Sequence, residues 1–230
     1  MKKIFLLISI LLSGCIFGQT TLKAHKAIYK FVEAQNQVNG DKNISEASAE
    51  LIFTKQVSVY KLTKDSKNNS LKYKLGNNVF TSIDALKIRQ FFESPYENVV
   101  INNKIEDKWQ FHKEKKIINN YTCFKATLVK EEAYFDVNKD IKYAKKNYTA
   151  WYCPEINSKF GPNVFAGLPG LIFQIDLDTQ GSIVLTKLEL NQTVNQSVFL
   201  EPKNYKEITS EEFYSFYSQL FKRIKKQIEK

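Results

Sequence analysis

The chain has 230 residues, of which 43% are hydrophobic and 25% are charged, values that exclude an intrinsically disordered chain and allow one sizeable domain. Its formal net charge of +10 comes almost wholly from lysine, since Arg89 and Arg223 are the two arginines. Surfaces that read nucleic acids favour the forked guanidinium group, so no nucleic-acid binding is expected.

The chain begins with an export signal, which has a charged start, an apolar run and a small-residue cleavage zone. Two ways of processing it remain open. The sequence LSGC resembles a bacterial lipobox, in which Cys15 receives a lipid after residues 1–14 are removed. Ordinary cleavage would instead remove residues 1–18. Either way the protein is exported to the periplasm or the outer-membrane-associated cell envelope, and residues 19–230 form a single β domain.

Strand patterns dominate the first part of the domain. Alternating apolar residues bounded by polar turns predict strands in HKAIYKFVEA, SAELIFTKQVSVYKL and LKYKLGNNVFTS. The polar cluster KDSKNNS predicts a turn. The segment SIDALKIRQFFES fits a short helix about as well as a strand, and Pro95 ends it.

Two more strands are predicted in DKWQFHKEKKIINNYTCFKATLV, with a tight turn near Asn119-Asn120. A charged linker, KEEAYFDVNKDIKYAKK, separates them from NYTAWYC. Cys123 and Cys153 thus lie in two strands of an exported protein, which is compatible with a disulfide worth about 3 kcal/mol. A metal site is not expected, because neither cysteine has a neighbour at ligand spacing.

The segment GPNVFAGLPGLIFQID combines turn residues with large apolar ones. Gly161-Pro162, Gly167 and Pro169-Gly170 exclude a continuous strand or helix. Leaving the apolar side chains in water would cost about 1.5–3 kcal/mol for each large one. We therefore expect a loop that folds over the sheet and buries them before Leu171 begins the hairpin LIFQIDLDTQGSIVLTKLELN.

The C-terminus has the pattern of a helix at about residues 209–228. Thr209 and Glu212 have the spacing of a capping box. Apolar residues then recur at helical spacing, at Phe213, Phe216, Leu220 and Ile224. Two interpretations remain open: the helix packs on the sheet, or its basic end docks on a membrane surface or an acidic partner.

The hexapeptide GLPGLI at residues 167–172 is intact, and it is preceded by AWY at 150–152, Gly161-Pro162, Phe165 and YTCFKA at 121–126. In these features, within residues 109–177, the chain resembles the GLPGLI family of exported Bacteroidota proteins. The predicted fold is mainly β with a C-terminal α-helix. The resemblance implies a curved antiparallel sheet or half-barrel, similar to the folds of periplasmic lipoprotein carriers.

The same resemblance implies no established activity. Genes of the family often lie near those of outer-membrane TonB-dependent transporters, which implies a role in the cell envelope. Cys153 stands where the family is expected to have another residue, so a disulfide with Cys123 would be peculiar to this chain.

No catalytic residue, metal site or cofactor is predicted, and the protein is not expected to be an enzyme. His25 and His112 stand far apart in the sequence. Asp176 and Asp178 alternate with apolar residues, so both are expected on one strand face. Paired acid–base carboxylates would have this pattern, but so would the polar face of an ordinary strand.

Two functions remain open. A binding or carrier module would hold an apolar small molecule or peptide on a concave face lined by aromatic residues, and it should have an unfilled apolar cavity. A scaffold would serve an outer-membrane transporter and meet the membrane only through an N-terminal lipid or the basic C-terminal helix. It should have a filled interior and an exposed apolar patch. Aromatic residues expected on the concave face include Trp109, Trp151, Phe165 and Phe173. The motif residues expected to contact a ligand or partner are Trp109, Trp151, Gly161, Pro162, Phe165, Gly167, Leu168, Pro169, Gly170, Leu171 and Ile172.

Overall fold

The computed structural model describes residues 20–33, 44–63, 78–93, 97–138 and 140–228. The predicted export signal, Cys15 and the KDSKNNS turn lie outside the described residues. The strands of the described chain are β1 (Thr21–Glu33), β2 (Ile44–Phe53), β3 (Val57–Leu62), β4 (Asn78–Ser82), β5 (Lys87–Phe92), β6 (Val99–Lys104), β7 (Gln110–Ile118), β8 (Tyr121–Phe135), β9 (Ile141–Cys153), β10 (Leu171–Leu177), β11 (Gly181–Asn195) and β12 (Lys206–Ile208). A short 3₁₀ helix (Gln196–Phe199) precedes β12, and the α-helix α1 (Ser210–Ile228) follows it. Within the described ranges, no helix is long and apolar enough to cross a membrane.

All these strands belong to one sheet, in the order β12-β6-β5-β4-β3-β2-β1-β11-β10-β9-β8-β7. Strands β1 to β6 form one antiparallel meander, β7 to β11 form a second, and the two join where β1 pairs with β11. The prediction of a mainly β protein with a curved sheet and a C-terminal helix is confirmed. The sheet is mixed, however, because β12 pairs in parallel with β6.

The sheet curves until its two meanders face each other. In the first meander, Ile88 of β5 pairs with Asn103 of β6. In the second, Tyr148 of β9 pairs with Leu177 of β10. Five strands separate β5 from β10 in the sheet, yet these four side chains line the same cavity. We call the face that carries them the concave face and the opposite face the convex face.

The hydrophobic core is continuous from one meander to the other. Strands β1 and β2 contribute Tyr29, Phe31, Leu51 and Phe53, each at most 1% exposed. The Tyr29 hydroxyl donates a hydrogen bond of 2.7 Å to the carbonyl oxygen of Ile172. Burying side chains of this size stabilises the fold by about 1.5–3 kcal/mol each. The strands at the junction of the meanders therefore contribute substantially to stability.

The parallel strand β12 results from the path of the chain across the convex face. There Arg89 pairs with Glu201 and, at 2.5 Å, with Glu207. The ring of Tyr205 packs edge-on against Phe91, with centroids 5.0 Å apart. A chain that crosses the sheet before pairing can re-enter parallel to its neighbour, whereas a tight hairpin imposes an antiparallel pair.

Several local predictions are confirmed. Asn119 and Asn120 have φ values of 49° and 66°, which suits the two-residue hairpin between β7 and β8. The turn between β10 and β11 begins at Asp178, with a φ of 51°, as the predicted hairpin requires. The segment SIDALKIRQFFES, which fitted a helix about as well as a strand, is a turn followed by the strand β5. Leu86 in that turn has a φ of 48°.

The prediction of a charged linker in KEEAYFDVNKDIKYAKK is wrong. The residues on either side of its turn extend the β8–β9 hairpin, with Lys130 opposite Lys146 and Phe135 opposite Ile141. Most of this extension lies beyond the core, and Lys130 and Glu131 are exposed. Because neither face of such a strand is fully covered, the alternation of apolar and polar residues that marks a half-buried strand is missing.

Helix α1 begins as predicted and bridges the two meanders. The Thr209 N–H donates to the Glu212 carboxylate at 2.8 Å, and the Glu212 N–H donates to the Thr209 hydroxyl at 3.1 Å. This reciprocal pair is a capping box. Further along, Phe213 packs on Phe92 at the end of β5, with ring centroids 4.4 Å apart. On the other side of the helix, Lys222 pairs with Asp140, beside β9, at 2.6 Å.

Candidate binding cavity

A cavity of about 1010 Å³ lies between the concave face and helix α1. Ile88 and Ile101 line it from the first meander, and Tyr148 and Leu177 line it from the second. Cavities that hold drug-sized ligands measure about 300–1,000 Å³. The space is therefore large enough for an organic molecule or a short peptide segment.

Aromatic rings form the helix side of the cavity. Phe213, Tyr217 and Phe221 follow one another at intervals of four residues, with centroids 4.6 Å and 6.1 Å apart. Phe135 of β8 contacts Tyr214 at 5.3 Å and Phe221 at 5.5 Å. All five side chains line the cavity.

Of the predicted helical stripe, Phe213 lines the cavity and Phe216 does not. The segment FYSFYSQLF carries aromatic residues at both three- and four-residue spacing, so periodicity alone offered two faces. Counting each tyrosine as apolar would have exposed the second face, since a tyrosine ring packs as phenylalanine does.

The loop that contains the motif fills one end of the concave face. Phe160 packs on Phe53 of β2, with centroids 6.2 Å apart, and Phe165 packs on Tyr148 of β9 at 5.0 Å. The Trp109 indole N–H donates to the carbonyl oxygen of Ala166 at 3.2 Å. The loop thus spans the inside of the curved sheet and buries its apolar side chains, as predicted.

Of the motif residues expected at a contact surface, Phe165 lines the cavity. Leu168, Leu171 and Ile172 are fully buried in the core. Trp151 lies on the convex face, where the Lys116 ammonium group stands 4.2 Å from its ring centroid. The others divide by burial: Gly161, Pro162 and Gly170 are buried, Trp109 is half-buried, and Gly167 and Pro169 are exposed. Phe173, also expected on the concave face, is completely buried.

Two glycines of the loop are required by close packing. A Cβ on Gly161 would lie 2.7 Å from Cδ1 of Ile172 and 2.8 Å from the carbonyl oxygen of Phe165. A Cβ on Gly170 would lie 2.3 Å from the carbonyl oxygen of Cys153. The φ of Gly170 is 158°, a positive value that side chains with a Cβ rarely adopt. Its backbone conformation and its contact with the Cys153 backbone therefore both favour glycine at this position.

Charged side chains also line the cavity: Lys104, Lys130, Lys146, Glu93, Asp107, Glu131, Glu132, Asp178 and Glu211. Lys130 pairs with Asp107 at 3.2 Å, and Lys146 approaches Asp178 to 4.0 Å. None of these residues was expected at a site, because most belong to the segment interpreted as a linker or to isolated turns. The two ion pairs follow from the pairing of adjacent strands, β7 with β8 and β9 with β10, whereas the curvature of the sheet brings Glu93 and Lys104 of the first meander to the same cavity.

Two cavity tyrosines are affected by these charges. Burial, and then a hydrogen bond to Glu132, raises the pKa of Tyr148 well above its ordinary value. Burial, and then the charge of Glu132, raises the pKa of Tyr214. Both phenols therefore remain neutral at physiological pH, and each keeps a hydroxyl that can donate a hydrogen bond.

Cys123 and Cys153 lie on the adjacent strands β8 and β9 without a bond between them in this structure, and neither has exposed surface. The register that pairs Phe124 with Tyr152 places them opposite each other. Burial, and then the neighbouring Cys153, raises the pKa of Cys123 to about 12. A thiol that keeps its proton is a weak nucleophile. The disulfide stays a prediction, and this register makes it directly testable.

The residues considered for acid–base chemistry do not converge. Asp176 accepts hydrogen bonds of 2.6 Å from Gln174 and Ser182. Asp178 belongs to the turn after β10 and lines the cavity, so the expectation that both carboxylates share a strand face is wrong. His25 accepts a bond of 3.2 Å from the Asn191 N–H. Throughout the ranges described above, no group of three or more His, Cys, Asp or Glu residues could hold a metal ion.

Comparison with known proteins gives a family match and a fold. Residues 109–174 match the model of a family described as a protein of unknown function (Porph_ging). No curated protein matches the sequence. The chain is similar to PNGF-II in a C2 crystal, with a TM-score of 0.58 and 14% identity over 86% of this chain. It is equally similar to PNGF-II in a P21 crystal, with a TM-score of 0.58 and 15% identity over 85%. Each similarity covers 33% of the PNGF-II chain, so this protein spans about a third of that length. At such identity the likeness shows the fold alone.

Proposed function

We propose that this protein is an exported, non-enzymatic binding or carrier module of the cell envelope, and that its cavity holds an apolar ligand or a peptide. The observation that carries the proposal is the cavity of about 1010 Å³ with aromatic walls. An unfilled cavity of this kind is the feature expected of a carrier and not of a scaffold with a filled interior. The intact GLPGLI hexapeptide and the family match over residues 109–174 support membership of the GLPGLI family.

Helix α1 forms the wall of the cavity that faces the sheet. It is held to the strands by ring contacts, such as Phe213 with Phe92, and by the pair of Lys222 with Asp140 at 2.6 Å. Ion pairs at the surface contribute about 0–1 kcal/mol. The motif loop, in contrast, is anchored by fully buried side chains such as Leu168. In this function the loop is the fixed wall and the helix is the movable one.

A second function is favoured by a separate observation on the sheet surface. Phe111, Ile117 and Val129 of β7 and β8 are 60%, 76% and 59% exposed. Strand β7 also forms one edge of the sheet. Exposed apolar residues next to an edge strand suit contact with a partner protein. In this alternative the protein is a scaffold, and an outer-membrane transporter would cover the β7 edge.

The first experiment is a native mass spectrum of the protein purified from its own cell envelope without detergent. The carrier function predicts a non-covalent adduct on the folded chain. A bare mass for folded protein would favour the scaffold. The same spectrum distinguishes a lipid on Cys15 from a chain that starts near Gln19.

A titration with the neutral apolar probe N-phenylnaphthylamine then locates the site. The probe should bind saturably, and Ala133→Trp should weaken binding because Ala133 lines the cavity and the larger ring would occupy part of it. The matched control is Ala85→Trp, which adds the same ring to an exposed turn. Equal probe affinity in the two variants would show that the cavity is not the binding site.

A further inference from the structure

We propose that the cavity selects positively charged amphiphiles, molecules with an apolar body and an ammonium or guanidinium group. This inference rests on the proposed binding function and specifies the chemical class of its ligand. It follows from the charge of the cavity walls, the position of their aromatic rings and a buried hydrogen-bond acceptor.

The charge of the cavity is opposite in sign to that of the chain. The whole sequence has 34 Lys and Arg against 24 Asp and Glu. Among the side chains that the structure describes, three lysines and six carboxylates line the cavity, so this described lining carries three more negative than positive charges. The described lining of this cavity is thus acidic in a basic protein, and a cleft lined by one sign of charge attracts ligands of the opposite sign.

The lysines of the cavity already have carboxylate partners. Lys130 pairs with Asp107 at 3.2 Å, and Lys146 approaches Asp178 to 4.0 Å. Lys104 lies 3.7 Å from Glu106, which is outside the cavity lining. The remaining lining carboxylates are Glu93, Glu131, Glu132 and Glu211.

Two of these carboxylates bind neutral hydroxyls. Glu93 accepts a hydrogen bond of 2.7 Å from Tyr205. Glu132 accepts one from Tyr148, whose pKa burial and this bond both raise. A hydrogen bond from a phenol satisfies a carboxylate oxygen but leaves its negative charge in place. That charge is available to a cationic ligand in the cavity.

Carboxylates and aromatic rings alternate around the cavity. Glu93 follows Phe92 at the end of β5, and Glu211 precedes Phe213 at the start of α1. The rings of Phe92 and Phe213 are in contact, with centroids 4.4 Å apart. Ammonium and guanidinium groups are attracted both by carboxylates and by ring faces. The apolar body of such a ligand would lie along Tyr217 and the rest of the helix wall.

Asn163 supplies an independent observation. Its side chain belongs to the motif loop and lines the cavity. Its Oδ1 atom is buried and has no hydrogen-bond partner among the residues that the structure describes. An amide oxygen is an acceptor, and leaving it unsatisfied costs about 1–3 kcal/mol. Once the amide turns toward the cavity, an N–H group of a cationic ligand would satisfy this oxygen.

The test compares two probes with the same tail, decylammonium and decanoate, by isothermal titration of the mature protein below their micelle concentrations. We expect decylammonium to bind about tenfold more tightly. The double variant Glu132→Gln with Glu211→Gln should remove most of this preference and leave the affinity for decanoate unchanged or higher. The matched control is Glu114→Gln, which neutralises an exposed carboxylate that pairs with Lys125 at 3.1 Å, outside the cavity lining.

Each outcome separates this inference from the binding function. Equal affinity for the two probes, or tighter binding of decanoate, would overturn the charge preference and leave a binding cavity. Binding of neither probe would overturn both proposals. An unchanged preference in the double variant, with its circular dichroism spectrum intact, would also overturn the assignment to these carboxylates. The final titration uses a short peptide of alternating leucine and lysine. If this peptide binds, the natural ligand is a cationic peptide. If decylammonium binds and the peptide does not, the natural ligand is a small cationic amphiphile.

Discussion

Removing one hydroxyl group from each of two neighbouring tyrosines should have opposite effects on stability. Tyr29 and Tyr60 are 0% and 1% exposed, and their ring centroids are 6.4 Å apart. The Tyr29 hydroxyl donates to the carbonyl oxygen of Ile172 at 2.7 Å. The Tyr60 hydroxyl is buried without a hydrogen-bond partner among the described residues. Tyr29→Phe and Tyr60→Phe are therefore a matched pair that differs in one hydrogen bond.

The expected magnitudes follow from these contacts. Tyr29→Phe deletes the donor and leaves the carbonyl of the buried Ile172 without it, which should lower the free energy of unfolding by about 1–2 kcal/mol. Tyr60→Phe removes a polar group whose desolvation is uncompensated, so it should leave stability unchanged or raise it by about 1 kcal/mol. The two variants should thus differ by about 2 kcal/mol, or about 4–8 °C in melting temperature for a domain of this size.

The assay is urea unfolding followed by the fluorescence of Trp109 and Trp151, with the slope of the transition compared among wild type and both variants. Equal slopes would show that the variants unfold from the same compact state. If Tyr60→Phe lowers the free energy of unfolding as much as Tyr29→Phe does, the reasoning is refuted, because the Tyr60 hydroxyl must then also have a hydrogen-bond partner.

Three further predictions concern the motif, the cysteines and pH. Gly170→Ala should lower the free energy of unfolding by about 1–3 kcal/mol because the new Cβ meets the Cys153 backbone. Pro169→Ala, at an exposed site, should lower it by less than about 1 kcal/mol. Equal melting temperatures for the two variants would contradict this prediction. In protein taken from its own envelope and denatured, Cys123 and Cys153 should resist alkylation until a reductant is added, and immediate alkylation of both would exclude the disulfide. Burial, and then a neighbouring carboxylate, raises the pKa of Tyr205 to about 12. In the unfolded chain a tyrosine titrates near pH 10, so between about pH 10 and 12 the unfolded state binds fewer protons than the folded state. The free energy of unfolding should therefore fall as the pH rises across that range. A constant melting temperature there would contradict the raised pKa of Tyr205.

Features encoded within a few residues could be predicted from the sequence. The Asn119-Asn120 turn, the hairpin at Asp178 and the capping box of Thr209 each depend on a short segment whose side chains determine the backbone. The loop that carries the motif also belongs to this class, since its glycines and prolines exclude regular structure and its apolar residues require burial.

Features that depend on the curvature of the sheet could not be predicted. Ile88 of β5 and Leu177 of β10 line the same cavity although five strands separate β5 from β10 in the sheet, and no local pattern in the sequence brings them together. The β8–β9 extension lacked a strand pattern because it lies outside the core. The aromatic residues of the helix that line the cavity could not be identified from periodicity, because aromatic residues occur at two spacings and the positions of Phe92 and Phe135 decide between them.

The motif and the cavity therefore have separate physical roles. Leu168 and Ile172 are buried, and Gly161 and Gly170 permit close backbone packing, so the motif builds a rigid wall. The charges that would select a ligand lie instead on β8, after β5 and at the start of α1. If this separation holds, Gly170→Ala should change the free energy of unfolding but not the ratio of decylammonium to decanoate affinity in the folded fraction. Neutralising Glu132 and Glu211 should change that ratio with little effect on unfolding. A reversal of these two results would place ligand selection in the motif itself.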